Sequence, residues 1–201
     1  MITRRKALKA LGISSLGAST GLVMPSLATA QAVSDQGNPL RIPQLAEGEL
    51  TNNSRQFQLR LQRGSRNFFA DTATATFGIN GDYLGPTLRF RRNEAVSLHI
   101  QNGLGEPTTL HWHGFHLPTS AGGGPHDVIA IGDTWNPQFT VEQFAGTFWY
   151  HSHMLNTAGE QVYKGLAGMI IVEDDEQQIE LPSAYGVDDI PLLIQDRRFN
   201  D

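Results

Sequence analysis

The chain has 201 residues, with 15 lysines and arginines against 20 aspartates and glutamates, a formal net charge of −5, 39% hydrophobic content and no cysteine. An acidic body repels a phosphate backbone, which argues against nucleic-acid binding, and the composition is that of a globular chain rather than a disordered one. The lack of cysteine removes disulfides, Cys-ligated zinc, iron–sulfur clusters and thiol catalysis, so metal chemistry falls to the seven histidines and the carboxylates.

Residues 1–30 read as an export signal. Thr3-Arg4-Arg5-Lys6-Ala7-Leu8-Lys9 is a twin-arginine pattern, and Ala28-Thr29-Ala30 is a small-x-small cleavage site. The apolar stretch between them is diluted by serines, threonines, glycines and Pro25, which argues against a permanent membrane span. The expectation is a periplasmic or otherwise exported protein with no membrane span after cleavage. Twin-arginine export carries folded proteins, so a cofactor can be inserted before translocation.

Residues 31–54 are polar, punctuated by Pro39, Pro43 and Gly48, and read as an N-terminal arm. From Gln56 the pattern has a period of two: Phe57, Leu59 and Leu61 alternate with Gln58, Arg60 and Gln62, which predicts a half-buried strand ended by Arg63-Gly64-Ser65. Alternation resumes at Leu88–Phe90 and at Val96, Leu98 and Ile100. Further strands are predicted at Thr109–His113, Gln138–Val141, Thr147–His153 and Met169–Val172. Short alternating strands separated by turn signals indicate an all-β, Greek-key β-sandwich over residues 55–175, with no long amphipathic helix. After the acidic turn Glu173–Glu176, residues 176–201 read as a linker. Its apolar run Ile190–Ile194 reads as the first strand of a second domain absent from this chain.

The chemistry sits in two short strings, Leu110-His111-Trp112-His113-Gly114 and Trp149-Tyr150-His151-Ser152-His153. On a strand, residues i and i+2 share a face about 7 Å apart. His111 with His113, and His151 with His153, therefore present two pairs of imidazoles, a donor set suited to copper or zinc. His99 alternates to the opposite face, and His116 and His126 read as loop or surface residues. Other schemes fail on detail: no glutamate follows the first His-x-His at cupin spacing, and neither His-Glu-x-x-His nor Gly-x-Ser-x-Gly occurs. Gly122-Gly123-Gly124 lacks the lysine of a phosphate loop and reads as flexible linkage. Trp112, Phe148 and Trp149 read as packing beside the motifs.

The two strings, together with Asn80-Gly81, Gly85-Pro86, Gly165–Gly168 and Tyr185–Pro191, resemble the N-terminal plastocyanin-like domain of multicopper oxidases, most closely the bacterial copper-efflux and laccase-like branch. The resemblance implies a cupredoxin fold and a trinuclear copper cluster held by eight histidines between the first and last domains. By position it implies His111 as a type 2 copper ligand, His113 and His151 as ligands of one type 3 copper, and His153 as a ligand of the other. Only half the ligands are here, and a type 1 site needs a thiolate that this chain lacks. Three functions follow. One is the copper-binding domain of an oxidase that reduces O2 to water while oxidising Cu(I) or phenols, with C-terminal cupredoxin domains as partners in the same chain or another subunit. The second is a non-catalytic exported copper binder, and the third a copper-free structural protein of the cell envelope.

Overall fold

A computed structural model describes residues 40–175 and 181–199. The expected leader, the first part of the arm and residues 176–180 of the linker lie outside the described residues. The described residues form strands β1 (Leu45–Ala46), β2 (Glu49–Thr51), β3 (Ser54–Phe69), β4 (Thr72–Ile79), β5 (Thr87–Arg91), β6 (Ala95–Gly103), β7 (His111–His113), β8 (Thr134–Trp135), β9 (Gln138–Thr140), β10 (Gly146–His151) and β11 (Ala167–Glu173). One short helix, α1 (Ala158–Lys164), precedes β11.

One sheet has the order β1-β5-β11-β10-β7, and the other runs β2-β3-β6-β8, with β4 paired to β3 and β9 to β6. The chain passes from sheet to sheet between β1 and β2, β4 and β5, β5 and β6, β6 and β7, β7 and β8, and β9 and β10. This produces the expected β-sandwich. Period-two patterning explains its core: Phe57, Leu59 and Leu61 of β3 and Val96, Leu98 and Ile100 of β6 face inward. They meet Leu88, Phe90, Trp112, Tyr150, Ile170 and Val172 of the other sheet. Phe57 and Phe90 meet edge to face across the two layers, 5.2 Å between centroids. Each such side chain contributes about 1.5–3 kcal/mol of burial free energy.

Several elements differ from the sequence reading, three of them away from the histidine strings. The strand predicted to stop at Arg63 continues to Phe69, because Gly64 is not a turn but a close approach. A Cβ there would sit 2.2 Å from Asp82 O. The hairpin turns instead at Ala70-Asp71, where Asp71 has φ +60°. The arm is partly structured, since β1 pairs in parallel with β5 and β2 pairs with β3. Residues 190–194 form no strand among the described residues, and Leu192 and Ile194 are exposed. The following segment instead lies on α1: Gln195 Nε2 donates to Val162 O at 2.9 Å, and Arg197 donates to Tyr163 O.

Candidate metal centre

The site forms on β7, the edge strand of its sheet, and on its neighbour β10. The antiparallel register sets His111 opposite His151, Trp112 opposite Tyr150 and His113 opposite Trp149. Alternation then divides the labour. Trp112 and Tyr150 point into the core, both fully buried, their polar ends satisfied by Ala121 O at 3.0 Å and Pro86 O at 2.7 Å. His111, His113, Trp149 and His151 share the other face. The rigid indole and phenol thus fix the two strands from behind while the imidazoles project forward.

All four motif histidines come together. Ring centroids lie 5.9 Å apart for His111–His113, 5.7 Å for His111–His151, 5.2 Å for His111–His153 and 6.1 Å for His151–His153. The second string does so by an unexpected route. β10 ends at His151, so His153 is not on a strand. Its backbone N–H donates instead to Thr109 Oγ1 at 2.8 Å, which returns the ring to the cluster. Trp149 stacks on His151 at 3.9 Å and on His113 at 5.0 Å, the packing role expected of it. His99, His116 and His126 are exposed and make no ring contact with the four; His99 Nδ1 instead bonds Asn136 Oδ1 at 2.8 Å.

Hydrogen bonds select which nitrogens are free. His111 Nδ1 donates to Gly122 O and His151 Nδ1 to Ser152 O, each at 2.7 Å, and a carbonyl can only accept. Both rings therefore keep an Nε2 lone pair. Burial holds the His151 imidazole at a pKa of about 4, against the opposing pull of Ser152 O and with the neighbouring histidines adding to the depression. Burial also lowers His111, where Gly122 O opposes it and His153 and His113 add to it. Both are neutral at pH 7, the form that binds metal. His113 Nδ1 and His151 Nε2 are 3.1 Å apart. Without metal this is an imidazole–imidazole hydrogen bond. It is also the spacing of two donors on one ion, since bonds of about 2.0 Å at an angle near 100° put their nitrogens about 3 Å apart. Among the described residues no three His, Cys, Asp or Glu side chains are gathered around one point. The arrangement is one converging pair flanked by two single imidazoles, with the His113 and His153 rings open to solvent.

Two contributors were invisible in the sequence. Gly122–Gly124 is not flexible linkage: Gly123 has φ +65°, and a Cβ there would lie 1.8 Å from Leu110 O. Its tight seat is what delivers Gly122 O to His111. The loop before β7 is tied down by Asn102, whose Nδ2 donates to Glu106 O, Ile129 O and Ala130 O. For Asn102 the one signal was its place in the inward period-two series Val96, Leu98, Ile100 of β6.

A sequence profile described as multicopper oxidase matches residues 60–177. The chain is 38% identical over 168 residues to Multicopper oxidase mco of Staphylococcus aureus, covering 83% of this chain and 37% of that protein. It is also 39% identical over 201 residues to Cell division protein FtsP of Yersinia pestis, covering all of this chain and 40% of that protein. The chain thus spans less than half the length of the curated relatives it matches. Among solved structures it is similar to the laccase-like multi-copper oxidase CueO from Ochrobactrum sp., with a TM-score of 0.71 and 41% identity over 76% of this chain and 34% of that one. A laccase from Pediococcus acidilactici matches with a TM-score of 0.77 and 32% identity over 81% of this chain and 36% of that one. The sandwich is of the cupredoxin type found in these proteins.

Proposed function

The chain belongs to the multicopper oxidase family, and from that premise we propose that it is the N-terminal copper-ligating domain of an exported oxidase. His111, His113, His151 and His153 supply half the ligands of a trinuclear cluster, and cupredoxin domains outside this chain supply the rest. The observation that carries this reading is the convergence of His113 Nδ1 and His151 Nε2 at 3.1 Å, with His111 and His153 on either side. Copper held there would supply the redox chemistry by which O2 is reduced to water.

The chain's own residues hold the donors ready. Gly122 O and Ser152 O fix two tautomers, Trp149 covers the paired rings, and Trp112 and Tyr150 keep the strands from shifting. The exposed edges of His113 and His153 leave room for ligands from another domain. With no cysteine in the chain, the electron-accepting type 1 copper belongs to a different domain. Cu(I) and phenols are the proposed substrates, and the twin-arginine leader is the proposed export route. Residues 176–201 are proposed to lead into the next domain.

A second reading, a structural cell-envelope role without copper, is kept because a relative matched over the whole chain bears the name of a cell division protein. The native protein separates the two. Its mass, copper content and O2 consumption are measured beside an H111A/H153A variant. A species two to three times the size of this domain, with copper and oxidase activity lost in the variant, supports the first reading. A copper-free protein whose cellular role survives the double substitution supports the second. A protein of this chain's own size that binds copper without turnover means a binding module.

A further inference from the structure

Gln161 of α1 hydrogen-bonds no imidazole, yet it joins the segment that leads into β7 to the turn that follows β10. Its side chain is buried at 1% exposure. Oε1 accepts from Thr108 Oγ1 at 2.7 Å and from Ser152 Oγ at 2.6 Å. Nε2 donates to Glu106 Oε1 at 3.0 Å and to Pro107 O at 2.9 Å. Both ends of the amide are used to capacity, and no other side chain of this length can do the same. A glutamate would set a second acceptor against Glu106 and Pro107 O, and a methionine would remove the acceptor that Thr108 and Ser152 share, leaving Thr108 Oγ1 only its longer contacts to Thr109 O at 3.2 Å and Ser152 Oγ at 3.5 Å.

The groups it joins belong to both histidine strings. Thr108 lies just before Thr109 and β7, and Thr109 Oγ1 receives the His153 N–H. Ser152 sits between His151 and His153, and its Oγ also accepts the Met154 N–H at 3.3 Å. The backbone completes the tie: Leu166 N–H donates to Gln161 O, and Ser152 N–H donates to Leu166 O. On its outer side α1 is held in turn by Gln195 and Arg197, which donate to Val162 O and Tyr163 O at the helix end.

We propose that Gln161 is a positioning residue that holds His153, beyond the end of the β7–β10 ladder, against the other three imidazoles by bridging Thr108, ahead of His111 and His113, to Ser152, between His151 and His153. The proposal rests on the copper-ligating reading for its consequence but not for its geometry. Loss of the bridge frees the turn after β10, where no strand pairing holds His153, so the single imidazole drifts from the pair.

The test uses the full chain and its Q161M variant. Denaturant unfolding establishes that each is folded, and long-range 1H–15N spectra of the imidazoles are recorded without metal. Titration with Cu(II), followed by electron paramagnetic resonance, comes after. In folded Q161M the His151 and His153 resonances shift or broaden while those of His99, His116 and His126 stay in place, and Cu(II) binds about ten-fold more weakly. Unchanged His151 and His153 resonances in a folded variant overturn the proposal. If Q161M does not fold, T108V removes one bond with little change of shape and is judged by the same spectra. Failure of the wild-type chain to bind Cu(II) through its histidines overturns the copper reading instead, and the metal-free spectra still decide the positioning.

Discussion

Replacing Gly123 by alanine isolates the contribution of the glycine loop to the site. The backbone there has φ +65°, which costs a non-glycine residue about 1 kcal/mol. The new Cβ would also lie 1.8 Å from Leu110 O, with the carbonyl carbon at 2.6 Å, and both are backbone atoms that cannot rotate away. The loop must therefore retreat by roughly 1 Å or more to reach an ordinary contact. That movement breaks the 2.7 Å bond from His111 Nδ1 to Gly122 O, worth about another 1 kcal/mol. The expected total is about 2–4 kcal/mol. Gly132 is the internal control: it has φ +81° and nothing within 4 Å of its Cβ position, so G132A carries the backbone strain without the collision. Urea unfolding should place G132A about 1 kcal/mol below wild type and G123A well below that. Imidazole 15N spectra should show His111 losing its Nδ1–H tautomer only in G123A. Equal stability of the two variants, or a wild-type His111 tautomer in G123A, would refute the reasoning.

Adjacent residues of β7 should behave oppositely: W112A removes a fully buried indole and costs about 3–5 kcal/mol by denaturant unfolding. H113A, which removes an exposed ring that bonds His151 Nε2 and stacks on Trp149, should cost only about 1 kcal/mol yet weaken Cu(II) binding in a direct titration. Y185F should cost about 1 kcal/mol at neutral pH, because the phenol donates to Pro43 O and bonds buried Thr87 Oγ1, each at 2.8 Å. Burial, opposed by the Thr87 bond, raises the Tyr185 pKa above its ordinary value near 10. Its contribution is therefore fully present below pH 10 and is lost as pH climbs through the raised value, since the unfolded chain releases that proton first. Stability curves from pH 8 to 12 should show this alkaline loss in wild type and a smaller one in Y185F.

The sequence carried the fold where apolar and polar residues contrast at every second position, as along Phe57–Leu61 and Val96–Ile100. It failed where they do not. β4 reads Thr-Ala-Thr-Ala-Thr-Phe-Gly-Ile, and alternating threonine and alanine give little hydrophobic contrast, so only its pairing with β3 reveals it as a strand. Gly64 shows the ambiguity of glycine, which marks a turn and a close backbone approach equally well. In the site, the four histidines were legible because period two puts i and i+2 on one face. What was not legible is everything that acts over a long span of chain: Gly122 O on His111, Thr109 on His153, and Gln161 across 53 residues to Thr108. The short α1 was hidden for a related reason, since seven residues make too few turns for a periodic signal.

The way β7 and β10 divide their residues bears on why a chain of this family can resemble both an oxidase and a cell-division protein. Residues that make the sandwich, Trp112 and Tyr150, alternate with residues that make the chemistry, His111, His113 and His151. Substituting the outward set leaves the core intact, because the burial free energy and the satisfied indole and phenol lie on the opposite face. The fold therefore places little constraint on the ligands, and similarity in fold or in total identity does not by itself separate a copper enzyme from a copper-free relative. The separation lies in the outward residues and in groups whose placement serves only them. In this chain both sets are present: four imidazoles, two carbonyls that fix their tautomers, and a threonine hydroxyl that turns His153 back toward the pair. His151 is the sharpest case. Keeping a largely buried imidazole neutral, in contact with three others, gains nothing for a sandwich already held by Tyr150. A neutral imidazole with a free Nε2 lone pair is the form that a metal ion binds, which is what the proposed copper reading asks of His151.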